Sequence, residues 1–279
     1  MALIPPFFLD CVVAVGFPDE DGRKKWSASG FLYGKLVEKG SAKDKTYEIF
    51  LVTNRHVFKG LDSAFVRFNP KADAPARDYE LKLLEGGQVK WHAHPDPEVD
   101  VAVIPINARF LRQQDIQFSY FRSDEHLADR ATAIKLGFTE GDTVFVLGFP
   151  MGLVGKERSF VIVRSGCIAR IRDALAASSK ELLIDAPIFP GNSGGPVVTK
   201  PEVVAIQGTK SVESAYLIGM VTSYVPYRDV AVSAQTGAVR IVFEENSGLA
   251  SVLPMDYVVE AIQTRLGKKS GQKRSQNPT

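Results

Sequence analysis

The segment Pro190-Gly191-Asn192-Ser193-Gly194-Gly195-Pro196 places one serine at the apex of a glycine-lined turn between two apolar segments. Glycine allows a sharp bend and lets backbone N–H groups converge on one point. A serine hydroxyl becomes a useful nucleophile when a base reaches it and converging amides stabilise the developing oxyanion. An ordinary Gly-rich hairpin turn has the same composition. The interpretation therefore depends on whether a histidine and a carboxylate accompany Ser193.

Of the four histidines, His56 has the most constrained position. It ends the run Phe50-Leu51-Val52-Thr53-Asn54-Arg55-His56, in which an apolar strand gives way to a polar turn. A residue at such a junction is held by a rigid element and still lies near the surface. The alternative is a structural histidine that caps a helix or is partly buried.

The other histidines are expected to have no part in chemistry. His92 and His94 form a His-x-His pair near Asp96, but no cysteine or second histidine cluster completes a tetrahedral metal site, so we expect a surface loop. His126 follows Ser123-Asp124-Glu125, which is typical of the first turn of a short helix, and is expected to be solvated. The sequence therefore predicts no metal and no cofactor.

The candidate carboxylate is Asp100, at the mouth of the short apolar strand Val101-Ala102-Val103-Ile104. A charge in that position is costly unless it is paired. The imidazole of His56 would pair it, and the carboxylate would fix the tautomer of the ring and stabilise the imidazolium. A strand-end turn former or a surface ion pair is the alternative for Asp100.

Three segments in the order His, Asp, Ser carry a family resemblance: Thr53-Asn54-Arg55-His56-Val57, Asp100-Val101-Ala102-Val103 and Gly191-Asn192-Ser193-Gly194-Gly195-Pro196. The chain resembles the trypsin-like serine peptidases of the chymotrypsin fold, and most of all the bacterial HtrA/Deg type. Weaker matches lie at residues 146–152, 217–222 and 253–259. The resemblance implies a serine endopeptidase that hydrolyses proteins or peptides through an acyl-enzyme.

The resemblance also implies a role for each site residue. Ser193 would be the nucleophile, His56 the general base and then acid, and Asp100 the carboxylate that orients the histidine. The amides of Gly191 and Ser193 would form the oxyanion hole. The substrate pocket would be lined by Ile188, Phe189, Thr222, Ser223 and Tyr224. None of these is acidic, so the pocket should prefer a small or medium apolar side chain to lysine or arginine.

Asn192 stands where the digestive peptidases of this family have an aspartate that pairs with a newly cut N-terminus. Asparagine is neutral, and HtrA-like enzymes share it. The start of the chain, Met1-Ala2-Leu3-Ile4-Pro5-Pro6, also lacks the family's Ile-Val-Gly-Gly sequence. We therefore expect an enzyme that needs no N-terminal cleavage and whose activity depends on loop ordering or on partners. HtrA proteins usually continue into a PDZ domain, and none is expected within this chain.

Short apolar runs separated by Gly, Pro, Asp and Lys, among them 143–148, 182–185, 216–224 and 239–243, predict an all-β fold, a barrel or a sandwich. The resemblance implies two six-stranded antiparallel β-barrels packed together, with the active site in the cleft between them and a C-terminal helix closing the structure. The expected organisation is a first barrel at 1–120, a connection at 121–140, a second barrel at 141–253, a helix at 254–266 and a basic disordered tail at 267–279. An α/β-hydrolase is disfavoured, because Pro196-Val197-Val198 predicts a strand after the serine and not a helix.

Composition narrows the partners and the compartment. With 34 basic and 32 acidic residues in 279, the formal charge of +2 predicts no nucleic-acid partner. No apolar stretch is long enough for a membrane span and no signal-peptide pattern is present, so we expect a cytoplasmic protein, or a secreted one if an N-terminal segment has been removed. Cys11 and Cys167 lie in apolar, strand-like runs and are expected to be buried free thiols, although a disulfide stays open. The oligomeric state is not predicted.

Two alternatives to an active endopeptidase stay open at this level. One is a peptidase-fold protein with weak or lost catalysis that binds peptides or partners. The other is a dedicated protease that cleaves one partner or itself.

Overall fold

The computed structural model describes residues 3–38, 45–204 and 206–274, and these are mostly β-structure. The strands of the first half are β1 (Val12–Pro18), β2 (Lys24–Glu38), β3 (Thr46–Thr53), β4 (Ser63–Pro70), β5 (Arg77–Lys82), β6 (Leu84–Glu85), β7 (Gln88–Val89), β8 (His92–Ala93), β9 (Ala102–Pro105), β10 (Ile116–Gln117) and β11 (Phe121–Arg122). Those of the second half are β12 (Thr143–Gly148), β13 (Ile162–Arg170), β14 (Leu182–Asp185), β15 (Pro196–Thr199), β16 (Leu217–Val232) and β17 (Val239–Pro254).

The helices are short except for the last. They are α1 (Arg55–Phe58), α2 (Ala108–Gln113), α3 (Arg130–Leu136), α4 (Arg172–Leu175) and α5 (Met255–Arg274), with 3₁₀ turns at Pro6–Cys11 and Pro150–Gly152. Asn107 and Asp129 cap α2 and α3 by accepting hydrogen bonds from the backbone N–H groups of Phe110 and Thr132. Asparagine and aspartate are favoured at this position because their side-chain oxygens satisfy N–H groups of the first helical turn.

The second half forms a closed barrel of six strands in the order β12-β13-β14-β17-β16-β15, which confirms the prediction for this half. All neighbouring pairs are antiparallel. The turn that carries Ser193 joins β14 to β15, so the serine is held between two paired strands of the barrel.

The first half is a curled sheet and not the closed six-stranded barrel that we predicted. Its main path is β10-β4-β1-β2-β3-β9-β8, with β5 added beside β4 and β11 paired in parallel with β2. Within the described residues the two end strands, β10 and β8, do not pair with each other. Each is two residues long, so neither offers the ladder of hydrogen bonds that closure requires.

Three apolar cores explain how the halves are held together. One fills the curled sheet, a second fills the closed barrel, and the third lies between them. The third contains Phe31 from the first half, Leu147 from the second, and Met255, Val258 and Ile262 from α5. The apolar face of α5 therefore packs across both halves, as its helical spacing predicts.

Helix α5 continues to Arg274, beyond the end at residue 266 that we expected. Gly267 and Gly271 each cost a helix only about 1 kcal/mol relative to alanine and do not stop it. No proline follows until Pro278. The remaining part of the expected tail, residues 275–279, lies outside the described residues.

Strands β16 and β17 continue past the barrel as a two-stranded hairpin, longer than the segments 216–224 and 239–243 that we predicted. Cross-strand pairing extends from the barrel out to Val232 opposite Val239. The side chains near the tip are largely exposed, with Val232 at 60% and Val239 at 61%. Because alternate residues are apolar but uncovered, sequence pattern alone gave no sign of where the barrel ends.

Across the described part of the chain, no helix combines the length and the apolar character needed to cross a bilayer.

Candidate active site

His56 lies on α1, the single helical turn that follows β3. About half of its side chain, 52%, is accessible. The preceding residue anchors this turn, because the guanidinium of Arg55 donates hydrogen bonds to the carbonyls of His94 (3.1 Å) and Pro97 (3.0 Å). The helix is thereby tied to the loop that leads to Asp100.

Asp100 contacts His56 through both carboxylate oxygens. Its Oδ2 lies 2.6 Å from Nδ1 of His56, and its Oδ1 accepts the backbone N–H of His56 at 2.9 Å. Burial raises the pKa of Asp100, but hydrogen bonds from the ring and from the backbone of His56 and Arg55 outweigh it, so the pKa lies below its usual value. When Nδ1 donates its proton to this carboxylate, Nε2 is left with the lone pair that accepts a proton.

Ser193 reaches the same cavity from the second half. The cavity encloses about 840 Å³ out to its open mouth, and His56, Asp100 and Ser193 all line it. The Ser193 hydroxyl donates a 3.4 Å hydrogen bond to the carbonyl of Thr222, and among the described residues it has no hydrogen bond to the imidazole. The three side chains therefore share one site, with the serine hydroxyl turned toward the second barrel.

The remaining walls contain every residue that we predicted for the substrate pocket: Ile188, Phe189, Thr222, Ser223 and Tyr224. Pro190 and Glu181 complete the lining. Glu181 was missed because nothing in the sequence around it distinguishes it from a charged residue at the start of a strand. One of its oxygens, Oε1, accepts the Thr222 hydroxyl at 2.8 Å. The cavity therefore carries two carboxylates, of which Asp100 is engaged by His56.

Residues 189–192 form the turn just before the serine. The N–H of Asn192 donates to the carbonyl of Phe189 at 3.0 Å, with Pro190 second and Gly191 third. Gly191 has φ +101°, which together with this order of residues is typical of a type II turn. Asn192 is fully buried, and its side-chain oxygen accepts the N–H of Phe189 at 3.1 Å. The turn is thus closed by two hydrogen bonds of its own.

The backbone around this turn leaves two N–H groups available. The carbonyl of Pro190 accepts the N–H of Met151 at 2.6 Å. In a trans peptide the N–H points opposite to the C=O, so the Gly191 N–H is directed away from Met151. Neither the Gly191 nor the Ser193 N–H has an acceptor among the residues that the structure describes. Two unused donors beside a serine are what an oxyanion requires.

The other histidines have structural positions. His94 is buried, and not in a surface loop as expected. Its Nε2 lies 2.9 Å from a carboxylate oxygen of Glu260 on α5. His126 is partly buried and not solvated: its ring packs against Phe7 and Phe8, and burial lowers its pKa. In the described ranges, no group of three or more His, Cys, Asp or Glu side chains is arranged to hold a metal ion.

Both cysteines are free thiols. Cys11 is fully buried, and burial raises the pKa of its thiol. Cys167, on β13 between β12 and β14, is only partly buried, and not buried as expected.

A closed antiparallel barrel packed on a curled sheet, with a serine, a histidine and a carboxylate around the cavity between them, has the architecture of a β-barrel peptidase. Comparison with known proteins leads to the same class of protein. The chain belongs to the trypsin-like peptidase domain family, whose match covers residues 28–206 and so includes His56, Asp100 and Ser193.

Two further similarities are weaker. The serine protease Do-like HtrA of Lactobacillus helveticus is 26% identical over 191 residues, which cover 67% of this chain and 36% of that protein. The chain thus spans little more than a third of that relative. The crystal structure of Rv3671c protease in an inactive form aligns with 94% of this chain and 97% of its own at 16% identity, with a TM-score of 0.44. The strand topology, and not this alignment, therefore defines the fold.

Proposed function

We propose that this chain is a serine endopeptidase with Ser193 as nucleophile, His56 as base and Asp100 as the orienting carboxylate. The observation that carries the proposal is the 2.6 Å contact between His56 Nδ1 and Asp100 Oδ2 at the wall of the cavity that Ser193 also lines. A surface ion pair alone would not require the serine and two unused N–H groups beside it. The family match supports a protein or peptide as the substrate.

The proposed reaction begins when the Ser193 hydroxyl turns from the carbonyl of Thr222 toward His56. A change of side-chain rotamer redirects a serine hydroxyl, and hydrogen bonds in substrate-free sites are often unformed. Nε2 takes the proton while Oγ bonds to the carbonyl carbon of the substrate. The oxyanion is stabilised by the N–H groups of Gly191 and Ser193. His56 then protonates the leaving amine, and water attacks the acyl-enzyme by the same route in reverse.

The proposed pocket is lined by Ile188, Phe189 and residues 222–224. Their size and polarity favour a small or medium apolar side chain in the substrate. Glu181 adds to this lining a carboxylate that the prediction of an apolar preference did not include; Thr222 donates a hydrogen bond to its Oε1, and its negative charge remains.

Labelling with a fluorophosphonate at neutral pH tests the proposal. We expect the wild-type protein to be labelled, Ser193→Ala to lose the label, and Ser165→Ala to keep it. Ser165 lies on β13 and does not line the cavity, so it is a matched control. An unlabelled wild-type protein would favour the alternative of a peptidase fold without useful catalysis. Mass spectrometry of products from a peptide library distinguishes a general endopeptidase from one dedicated to a single partner.

A further inference from the structure

Ser29 lies on β2 in the first half, yet it contacts the serine turn of the second half. Its side chain is completely buried. Its backbone N–H donates to the carbonyl of Ser193 at 2.9 Å, and its hydroxyl donates to the carbonyl of Gly191 at 2.7 Å. The hydroxyl oxygen also accepts the N–H of Phe149 at 2.9 Å. A buried hydroxyl with both a donor and an acceptor partner is fully engaged.

These contacts complete a pattern around Gly191. The carbonyl that precedes this residue, that of Pro190, is held by the N–H of Met151. The carbonyl that follows, its own, is held by the hydroxyl of Ser29. Both peptide planes that flank Gly191 are therefore fixed from outside the turn.

The backbone of Met151 indicates that this arrangement is specific. Met151 has φ +55°, a left-handed conformation that is uncommon for a residue with a side chain. Its side chain is exposed, at 57%, so packing of the side chain does not account for the conformation. The N–H of this left-handed residue is the one that donates to the carbonyl of Pro190.

Gly191 needs these contacts because a glycine does not fix its own backbone dihedral angles. It adopts positive and negative φ about equally well. The N–H that faces an oxyanion belongs to the Pro190–Gly191 peptide, and a rotation of that peptide would replace the donor with a carbonyl oxygen. The rotation changes φ of Gly191, and the Ser29 hydroxyl resists it by holding the far side of that residue.

We infer that Ser29 is a positioning residue that keeps the Gly191 N–H directed at the oxyanion in the absence of substrate. The inference rests on the proposed function, since it assigns a purpose to a turn whose catalytic use is itself proposed. Ser29 does not touch the substrate. It acts through Gly191, so its loss should affect stabilisation of the transition state more than binding of the substrate.

The test compares Ser29→Ala with Thr199→Val in the full chain. Thr199 is also buried, and its hydroxyl oxygen accepts one backbone N–H, that of Tyr216, at 3.0 Å, away from the cavity. We expect Ser29→Ala to lower kcat and the fluorophosphonate labelling rate on the order of ten-fold, against about 10²–10³ for outright loss of one oxyanion donor, with KM little changed. Thr199→Val should destabilise the protein without changing kcat. Ser29→Thr, which keeps the hydroxyl, should recover most of the activity.

A second measurement keeps this inference separate from the proposed function. The Asn192 N–H closes the turn by donating to Phe189, so its hydrogen exchange reports the turn directly. We expect faster exchange at Asn192 in Ser29→Ala and not in Thr199→Val. If the wild-type protein is never labelled, the proposed function fails and this exchange experiment alone decides about Ser29. Unchanged exchange, or a loss of kcat that Thr199→Val shares, would overturn the inference.

Discussion

Replacing Gly191 with alanine tests the geometry of the candidate oxyanion turn most directly. An alanine Cβ at this position would lie 2.4 Å from the carbonyl oxygen of Phe149 and 2.9 Å from the backbone nitrogen of Met151. Both contacts are with backbone atoms, which cannot move aside as a flexible side chain can. In addition, φ is +101°, a value that residues with a Cβ rarely adopt. The substitution must therefore either strain the protein or change the turn.

The two responses differ in how much stability and how much activity the protein loses. If the turn is kept, the left-handed backbone costs about 1–2 kcal/mol. The overlap costs a further 1–3 kcal/mol or so, by analogy with overpacked cores. For a chain of this size the sum lowers the melting temperature by roughly 5–15 °C. If the turn rotates instead, stability falls less, but the Gly191 N–H no longer faces the oxyanion and the rate falls by about 10²–10³.

The assay is the rate of fluorophosphonate labelling, measured beside thermal unfolding. Gly141→Ala is the matched control, because Gly141 has a similar φ of +94° with nothing within 4 Å of an added Cβ. We expect it to cost about 1–2 kcal/mol from backbone conformation alone and to be labelled at the wild-type rate. A Gly191→Ala protein with wild-type stability and wild-type labelling would refute the reasoning about this turn.

Other predictions follow from the Asp100–His56 pair and from the projecting hairpin. Asp100→Asn should lower kcat by several orders of magnitude if the carboxylate fixes the tautomer of His56, as a pH–rate profile would show. Because the pKa of Asp100 is lowered in the folded protein, its contribution to stability is present above the unfolded pKa, about 3.9, and is lost as the pH falls through the folded pKa. Urea unfolding of wild type and Asp100→Asn between pH 7 and pH 3 should therefore converge at low pH, and curves that stay parallel would count against the pairing. Replacing residues 227–244 with a short turn should leave the melting temperature within a few degrees, since these side chains bury little; a large loss would show that the hairpin supports the barrel.

The second barrel was predictable from sequence for a simple physical reason. Strands such as Thr143–Gly148 and Leu182–Asp185 are short apolar runs bounded by turn residues, and the structure has them at the bounds that we predicted. The first half was less predictable, because its end strands are two residues long and carry no periodicity. Nor does a sequence pattern show where paired strands leave a barrel, so the hairpin beyond Tyr224 was missed.

The candidate site was also predictable only in part. Asp100 was chosen because a charge beside an apolar strand needs a partner, and His56 because it lies where a strand gives way to a turn. Glu181 and Ser29 were missed, although Ser29 did leave a signal: it is a polar residue inside the apolar strand-like run 28–33, where an unpartnered hydroxyl would be costly. That signal says a partner exists but not which one. The partner is Gly191, 162 positions away along the chain, and it becomes adjacent only because the two β halves pack together. The serine turn could be recognised from its own residues, but its fixed conformation is a property of the interface between the two halves.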